Sequence, residues 1–329
     1  MRKSHLSRGA SLSALALAFM LTLFPATKSF AATDWSPIQS ALGADGNETS
    51  GLVLRFELVR QDLALTVNGR TIPSDEVAEY ANGYLAFKPL GDSTFFADGS
   101  LPAQETELAA LQTALRADKH INITAIVNHA VLESPKLIWV HFEATENGAD
   151  LAQSLATALK TIHSPQLNVF VIPGTNSVFD PKTLLPPKFL KLFDEGSFEQ
   201  LEHIFVFYLP LPDEKHEGVG PVKAHPGLGV GQSFYIEIPS FNGGPNIATL
   251  NIELCLHPNE VQAVEDTLRA GGFKIAAQHN HFVDERYRLF FVHATATGDG
   301  FSLGNTLYDA IQIIQQDTAR DRDHDGDNR

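Results

Sequence analysis

Lys274 to Thr297 reads KIAAQHNHFVDERYRLFFVHATAT, with His279, His281 and His293 inside 15 residues and Glu285 between them. A weaker copy stands 152 residues earlier, at Asn122 to Thr145, reading NITAIVNHAVLESPKLIWVHFEAT. Asn128, His129, Glu133 and His141 fall at the same offset from Asn280, His281, Glu285 and His293, and Val127 stands where His279 stands. The chain is therefore a duplication whose second copy carries the fuller histidine set. That duplication decides the fold, because every element around one copy has to be sought around the other.

Strands flank both histidine segments. Ile121 to Val131 and Leu137 to Ala144 read as one pair, Lys274 to Val283 and Arg288 to Thr297 as the other. Pro102 to Ala117 carries an apolar stripe at Leu108, Leu111 and Leu115, with Glu105 and Glu107 in its first turn, and reads as a helix. Asp150 to Ile162 reads as a second helix and Leu167 to Ile172 as a closing strand. In the second copy, Phe234 to Ile238 and Ile247 to Leu256 are strand-like. Pro258 to Ala270, closed by Gly271-Gly272, is helical, as is Phe301 to Gln315. Strand–helix–strand–strand–helix–strand is the ferredoxin-like order. The predicted class is α+β, with two tandem ferredoxin-like (βαββαβ-type) repeats and extra N-terminal strands. Those extra elements are a short helix at Trp35 to Ala41 and strands at Leu52 to Glu57, Leu63 to Val67, Leu85 to Phe87 and Thr94 to Ala97. Asn68-Gly69 makes a two-residue hairpin turn.

The boundaries follow. Residues 1–31 read as a secretory signal: Arg2, Lys3 and Arg8 precede an apolar run from Leu12 to Phe24, and Ser29-Phe30-Ala31 offers small residues before a cut after Ala31. This predicts a secreted or periplasmic protein with no transmembrane segment after cleavage. Residues 32–172 form the first repeat and 173–231 a Pro- and Gly-rich linker with a helix at Pro187 to Phe193 and a strand at His203 to Leu209. Residues 232–316 form the second repeat, and 317–329 an unstructured acidic tail. The linker carries His216 and His225 in a long loop. In the tail, Asp321, Asp323, Asp325 and Gly326 resemble the start of a calcium loop, but the chain ends before the glutamate such a loop needs.

The net charge is −15, and −19 once the four positive charges of the signal are removed, so nucleic acid is an unsuitable partner. Cys255 is the only cysteine, so no internal disulfide forms; within IELCL it reads as a buried, inert thiol. There is no G-x-S-x-G, H-E-x-x-H or phosphate-loop motif, and Gly227 to Gly231 has neither the lysine nor the spacing of one.

What remains is the histidine hairpin. Residues two apart on a strand share a face, so His279 and His281 point the same way. A turn symmetric about Arg286 sets His279 opposite His293 and His281 opposite Phe291, with all three rings on one patch. A register one residue away sends His293 to the other face. Three imidazoles are a usual protein contribution to an open zinc or other divalent site, with Glu285 or Glu260 as general base. His279-x-His281-x3-Glu285 also has the ligand spacing of cupins, although the helices do not suit a cupin barrel. In the first copy His129 and His141, with Glu133, form either a degenerate site or half of a site shared between the copies; Glu107 is a further oxygen donor. Asn280 and Asn128 tie down turns through their amides.

Taken together, Glu260, Leu268-Arg269, His279-Asn280-His281, Glu285 and His293 form one pattern. Thr124-Ala125, Asn128-His129, Glu133-Ser134-Pro135 and His141 repeat it, and Arg60-Gln61-Asp62-Leu63 adds an Arg-x-Asp element. This combination resembles the LppY/LpqO family of secreted or lipid-anchored bacterial proteins over most of residues 35 to 315. The resemblance implies an envelope address, two copies of one domain, and Arg60 and Asp62 as further site residues. It implies no reaction. The functions to be weighed are a divalent-metal protein, in particular a metal-dependent hydrolase, and a non-enzymatic binder of a small molecule or envelope component.

Overall fold

The computed structural model describes residues 33–325 except 50–51, 68, 75–76, 164–165, 168–180, 193–197, 202–203, 210–217, 224, 238–245, 284 and 286–287. The signal segment and His216 lie outside the described residues.

Chain order begins with α1 (Ser36–Leu42), β1 (Asn47–Thr49), β2 (Val53–Val59), β3 (Asn82–Gly91) and β4 (Thr94–Gln104). Next come α2 (Leu108–Ala117), β5 (Ile121–Val127), β6 (Leu137–Asn147), α3 (Gly148–Leu159) and β7 (Gln166–Leu167). The second half supplies β8 (Phe198–Leu201), β9 (Ile204–Leu209), β10 (Gln232–Glu237), β11 (Ile247–Leu256), α4 (Val261–Ala270), β12 (Lys274–His279), β13 (Phe290–Asp299) and α5 (Gly300–Asp325). The class is α+β with antiparallel sheets. One sheet runs β1-β2-β3-β4-β6-β5, with β7 paired to β2; the other runs β8-β9-β10-β11-β13-β12.

In each half the last-made hairpin strand lies between the two strands that a helix connects: β6 between β4 and β5, β13 between β11 and β12. That is three-quarters of the ferredoxin-like order. The fourth place, beside β4 or β11, is taken by the preceding hairpin strand, β3 or β10. The strand expected at Leu167 to Ile172 is described only as Gln166–Leu167, and it pairs with β2. The two-residue turn from β3 into β4 brings its own partner to the edge before a strand after α3 can reach it.

The linker expected at 173–231 is largely the front of the second repeat. β8 and β9 belong to the second sheet. The hairpin Gly218–Val219/Val222–Lys223 also has a counterpart 152 residues earlier, Thr66–Val67/Arg70–Thr71, turned at Gly69 with φ +81°. Val67 pairs with Glu133, and Val219 bridges to Glu285. Each histidine loop is thus pinned by the same device.

Several helix ends differ from the sequence reading for local reasons. Residues 102–104 extend β4, and the helix starts later because the Glu107 carboxylate reaches back to accept the Gln104 N–H at 2.8 Å. Glu260 does the same for the His257 N–H at 2.7 Å. The Asn147 side chain caps α3, accepting from the Ala149 N–H at 3.0 Å. The final helix continues through Asp325, over most of the stretch expected to be unstructured. Once docked by Leu303, Leu307 and Ile311, a helix gains one hydrogen bond per added residue. Among the described residues no helix is long and apolar enough to cross a membrane.

The strands alternate, and the two parities pack against different things. Phe95, Ala97, Leu101, Val140, Phe142 and Ala144 meet Leu111, Leu115, Leu151 and Leu155 in one core. Leu250, Ile252, Leu254, Val292, Ala294 and Ala296 meet Val264, Leu268, Leu307 and Ile311 in another. The opposite parities meet each other: Tyr84, Ala86 and Phe96 of the first sheet share a cluster with Cys255, Phe282 and Phe291 of the second. The order of layers is helices, sheet, sheet, helices, and the described residues from Asp34 onward form one compact unit. The faces that read as polar, solvent-facing sides of strands are the buried middle of the molecule.

Candidate metal centre

Five histidines converge in that middle layer. His141 and His293 stand on β6 and β13, and His279 ends β12. His129 and His281 lie just past β5 and β12, not inside longer strands as their spacing predicted. The loops carrying them are locked alike. The Asn128 amide donates to Leu137 O at 2.7 Å, and the Asn280 amide to Leu289 O. The Glu133 carboxylate accepts the Leu137 N–H at 3.0 Å, and Glu285 accepts the Leu289 N–H at 3.0 Å. Asn128 and Asn280 therefore act as the turn ties their amides suggested, and Glu133 and Glu285 are engaged in the same loops.

The hairpin register is neither of the two weighed from sequence. Ala277 faces His293 and His279 faces Phe291, after an irregularity between Ile275 and Ala277. The pairing is centred on Glu285 rather than Arg286. This displaces the strand by two residues from the symmetric register, and an even shift preserves the face. The three rings stay together.

Each loop histidine stacks on an aromatic ring of its own copy and reaches a strand histidine of the other. His129 lies on Trp139 (4.2 Å between centroids, 10°) and on His293 (3.8 Å, 15°). His281 lies on Phe291 (3.5 Å, 3°) and against His141 (4.5 Å, 26°). Trp139 and Phe291 are themselves equivalent positions in the repeat, so a pseudo-twofold relation runs through the cluster. His279, whose counterpart is Val127, breaks it.

The nitrogens are close. His129 Nε2 is 3.3 Å from His141 Nε2, and His279 Nε2 is 3.0 Å from His293 Nε2. Two ligands of a tetrahedral zinc, each about 2.05 Å from the ion, are about 3.3 Å apart. Among the described residues three groups could hold a metal ion: His129–His141–His279 and His279–His281–His293 in this layer, and Asp118–His120–Glu146 elsewhere, the donor atoms in each lying within 4.8 Å of one another. His279 belongs to both histidine triads.

Burial sets the electrostatics. His141, His279, His281 and His293 are 1%, 7%, 4% and 5% exposed. Burial, and then the repulsion of any second protonated ring, holds His129, His141, His281 and His293 well below the usual imidazole range. Burial lowers His279 to about 4. At neutral pH the rings are neutral donors with lone pairs to give. Neither ring nitrogen of His281 is in a well-aligned hydrogen bond, the Gly229 backbone being its near polar neighbour, and Nδ1 of His141 has none. Buried polar atoms without partners are uncommon enough to need a reason, and a bound ion is one.

Around the rings the same layer holds Asp98, Ser100, Glu143, Glu253 and Thr295. Asp98 pairs with Glu143 and Ser100 with His141 across β4 and β6; Glu253 pairs with His293 across β11 and β13. The Tyr84 hydroxyl donates to Asp98 at 2.8 Å, and burial pushes the Asp98 carboxyl well above its usual range. Glu143 accepts the Val283 N–H at 3.2 Å, a direct tie between the halves. Glu253 lies 3.3 Å from His281 and is pushed by burial to about 8, against the pull of Arg55. Sequence reading missed Glu253. Its position 40 residues before His293, on the neighbouring strand, becomes meaningful only once that register is known.

The remaining candidates lie elsewhere or do other work. Arg60 is fully buried, and its guanidinium donates to Asp62 (2.8 and 2.9 Å), Glu107 (2.9 and 3.2 Å) and Pro102 O (3.0 Å), using all five N–H groups. This fastens the start of α2. Their repeat counterparts, Pro212 and Glu214, fall outside the described residues. Glu260 begins α4 in the helical layer, with His257 Nδ1 at 3.4 Å. His225 accepts the Gly227 N–H at 3.0 Å. Cys255 is buried and in no disulfide.

Fold and site define a two-sheet protein with a histidine-rich centre made by both repeats. The chain belongs to the family described as Domain of Unknown Function (DUF1259), which matches residues 36–161 and 211–313. No curated protein matches it. Among solved structures, a trimeric bacterial microcompartment shell protein, PduB, is 11% identical over 84% of this chain and 93% of that one, with a TM-score of 0.22. EtuB from Clostridium kluyveri is 11% identical over 82% and 90%, with a TM-score of 0.20. Likenesses this slight carry no argument.

Proposed function

We propose that this is a secreted, envelope-located protein that binds a divalent metal, zinc being the best fit, at one centre shared by its two repeats. The observation that carries the reading is the convergence of five neutral imidazoles from both copies, four of them buried, with Nε2–Nε2 separations of 3.3 and 3.0 Å. Nitrogen donors without thiolates suit zinc, copper, nickel or iron rather than magnesium or calcium. The first-copy pair completes a site between the halves instead of forming a degenerate one. The basic, apolar and small-residue pattern of residues 1–31 supports the envelope address, and the likeness to LppY/LpqO proteins agrees with it. Metal-assisted hydrolysis of a small molecule, using metal-bound water, is the reaction class this donor set suits.

The test is elemental analysis of the mature chain after reconstitution with each metal, beside a His279→Ala/His293→Ala variant. Stoichiometric metal in the wild type and none in a folded variant is the expected result. A wild-type chain that takes up no transition metal would refute the proposal. Ligand binding that survives loss of the histidines would then favour a non-enzymatic binder.

A further inference from the structure

We infer that Glu253 is the positioning carboxylate of the centre, holding His281 through Nε2 so that Nδ1 is presented to the metal. The inference rests on the metal-centre reading and deepens it.

Stacking on Phe291 and His141 fixes the plane of the His281 ring, but stacking is indifferent to which edge of the ring faces inward. A half-turn of the ring about its bond to Cβ exchanges Nδ1 with Cδ2 and Nε2 with Cε1 without changing either stack. Something polar has to break that tie, and Glu253 Oε1, 3.3 Å from Nε2, is the carboxylate in ion-pair range of the ring. Neither that contact nor the one to the Gly229 backbone is aligned as a strict hydrogen bond, and Nδ1 is buried. A ligating imidazole ordinarily donates its second N–H to a carboxylate or carbonyl, which fixes the tautomer and raises ligand basicity.

The repeat supports the assignment by its asymmetry. Glu253 sits across from His293, and the residue across from His141 in the first copy is Ser100. The carboxylate therefore occurs in the copy that also has the extra ligand, His279. A divalent ion among neutral rings brings two uncompensated positive charges into the middle of the protein, and burying such charge is costly without a nearby anion. Glu253 supplies one on the correct strand.

The experiment is a cobalt(II) titration of the mature chain, in competition with a chelator, for wild type, Glu253→Ala and Glu253→Gln. The absorption spectrum of the bound ion and the tautomer of His281 by nitrogen NMR are read alongside. Removing a carboxylate that orients a ligating histidine weakens metal binding by about 10–100-fold, and that loss is expected for Glu253→Ala. Glutamine keeps an acceptor oxygen but not the charge, so Glu253→Gln should bind more tightly than Glu253→Ala, with unchanged cobalt bands and one His281 tautomer, while Glu253→Ala mixes the tautomers. Unchanged affinity in Glu253→Ala would overturn the inference. So would Glu253→Gln losing as much as alanine with shifted bands, because Glu253 would then be a ligand. Urea midpoints of the ion-free variants show whether a loss reflects misfolding, and the glutamine variant carries the test if alanine does not fold. A wild type that binds no cobalt sinks the metal-centre reading itself, a different result from wild-type binding that ignores Glu253.

Discussion

His279→Ala should be the most damaging single change at the centre, because His279 alone belongs to both triads. Structural zinc sites with four ligands bind with about 10–16 kcal/mol, or roughly 2.5–4 kcal/mol per ligand. Losing one ligand therefore weakens binding by on the order of 100-fold or more. His129→Ala removes a member of one triad and leaves His279, His281 and His293 in place, so its loss should be distinctly smaller. Either change also removes packing from the ion-free protein, since the buried His279 ring lies 3.0 Å from His293 Nε2 and the His129 ring lies on Trp139, so folding is checked separately. The assay is a chelator competition for wild type and the two variants, with circular dichroism to establish folding. Equal affinities for His129→Ala and His279→Ala, or undiminished binding by a folded His279→Ala, would refute the shared-ligand geometry.

Arg60→Met should destabilise the chain by about 3–5 kcal/mol in urea unfolding, because it strands the buried Glu107 carboxylate. Adding Glu107→Gln should restore much of the loss, and a neutral single variant would disprove the role given to this pair. The ion-free protein should lose stability as pH falls from about 6.5 towards 4. Its histidines are held below their unfolded values, so the unfolded chain takes up protons that the folded chain refuses. A urea midpoint flat over that window would contradict this, and above it stability should decline as pH rises towards 8, because Glu253 is held at about 8 in the folded chain. Cys255, fully buried, should react with a thiol reagent only as fast as the protein unfolds. Gly229→Ala should lower the melting temperature: the residue has φ +66°, and a Cβ there would lie 2.1 Å from the Tyr84 hydroxyl. An unchanged melting curve would show that the loop yields.

Reading the sequence recovered what local rules govern. Period-two alternation located β4, β6, β11 and β13, the apolar stripes located α2 and α4, and Asn68-Gly69 marked its hairpin. The repeat offset of 152 residues paired the histidines correctly, and it extends to Val67 and Val219, which the sequence reading assigned to a first-repeat strand and a linker. Asn128 and Asn280 were legible as turn ties because their partners lie nine residues away. The helices begin at Leu108 and Val261, later than apolar spacing suggests, because the Glu107 and Glu260 carboxylates reach back three residues to accept backbone N–H groups.

The sequence by itself determined that the chain is a duplication, that its strands have one apolar and one polar face, and that each copy brings histidines to the polar one. Only the tertiary structure decided what covers that face. Alternation records that a strand has two different sides, but water and a second polar sheet impose the same pattern. His129 therefore reads as a loop histidine until it is seen on His293, and Glu253 as a solvent-facing glutamate until His281 lies beside it. The first of those contacts joins halves separated by more than a hundred residues, where no spacing rule reaches, and the second depends on strand register; it is the meeting of the two sheets that turns ten polar positions into one centre.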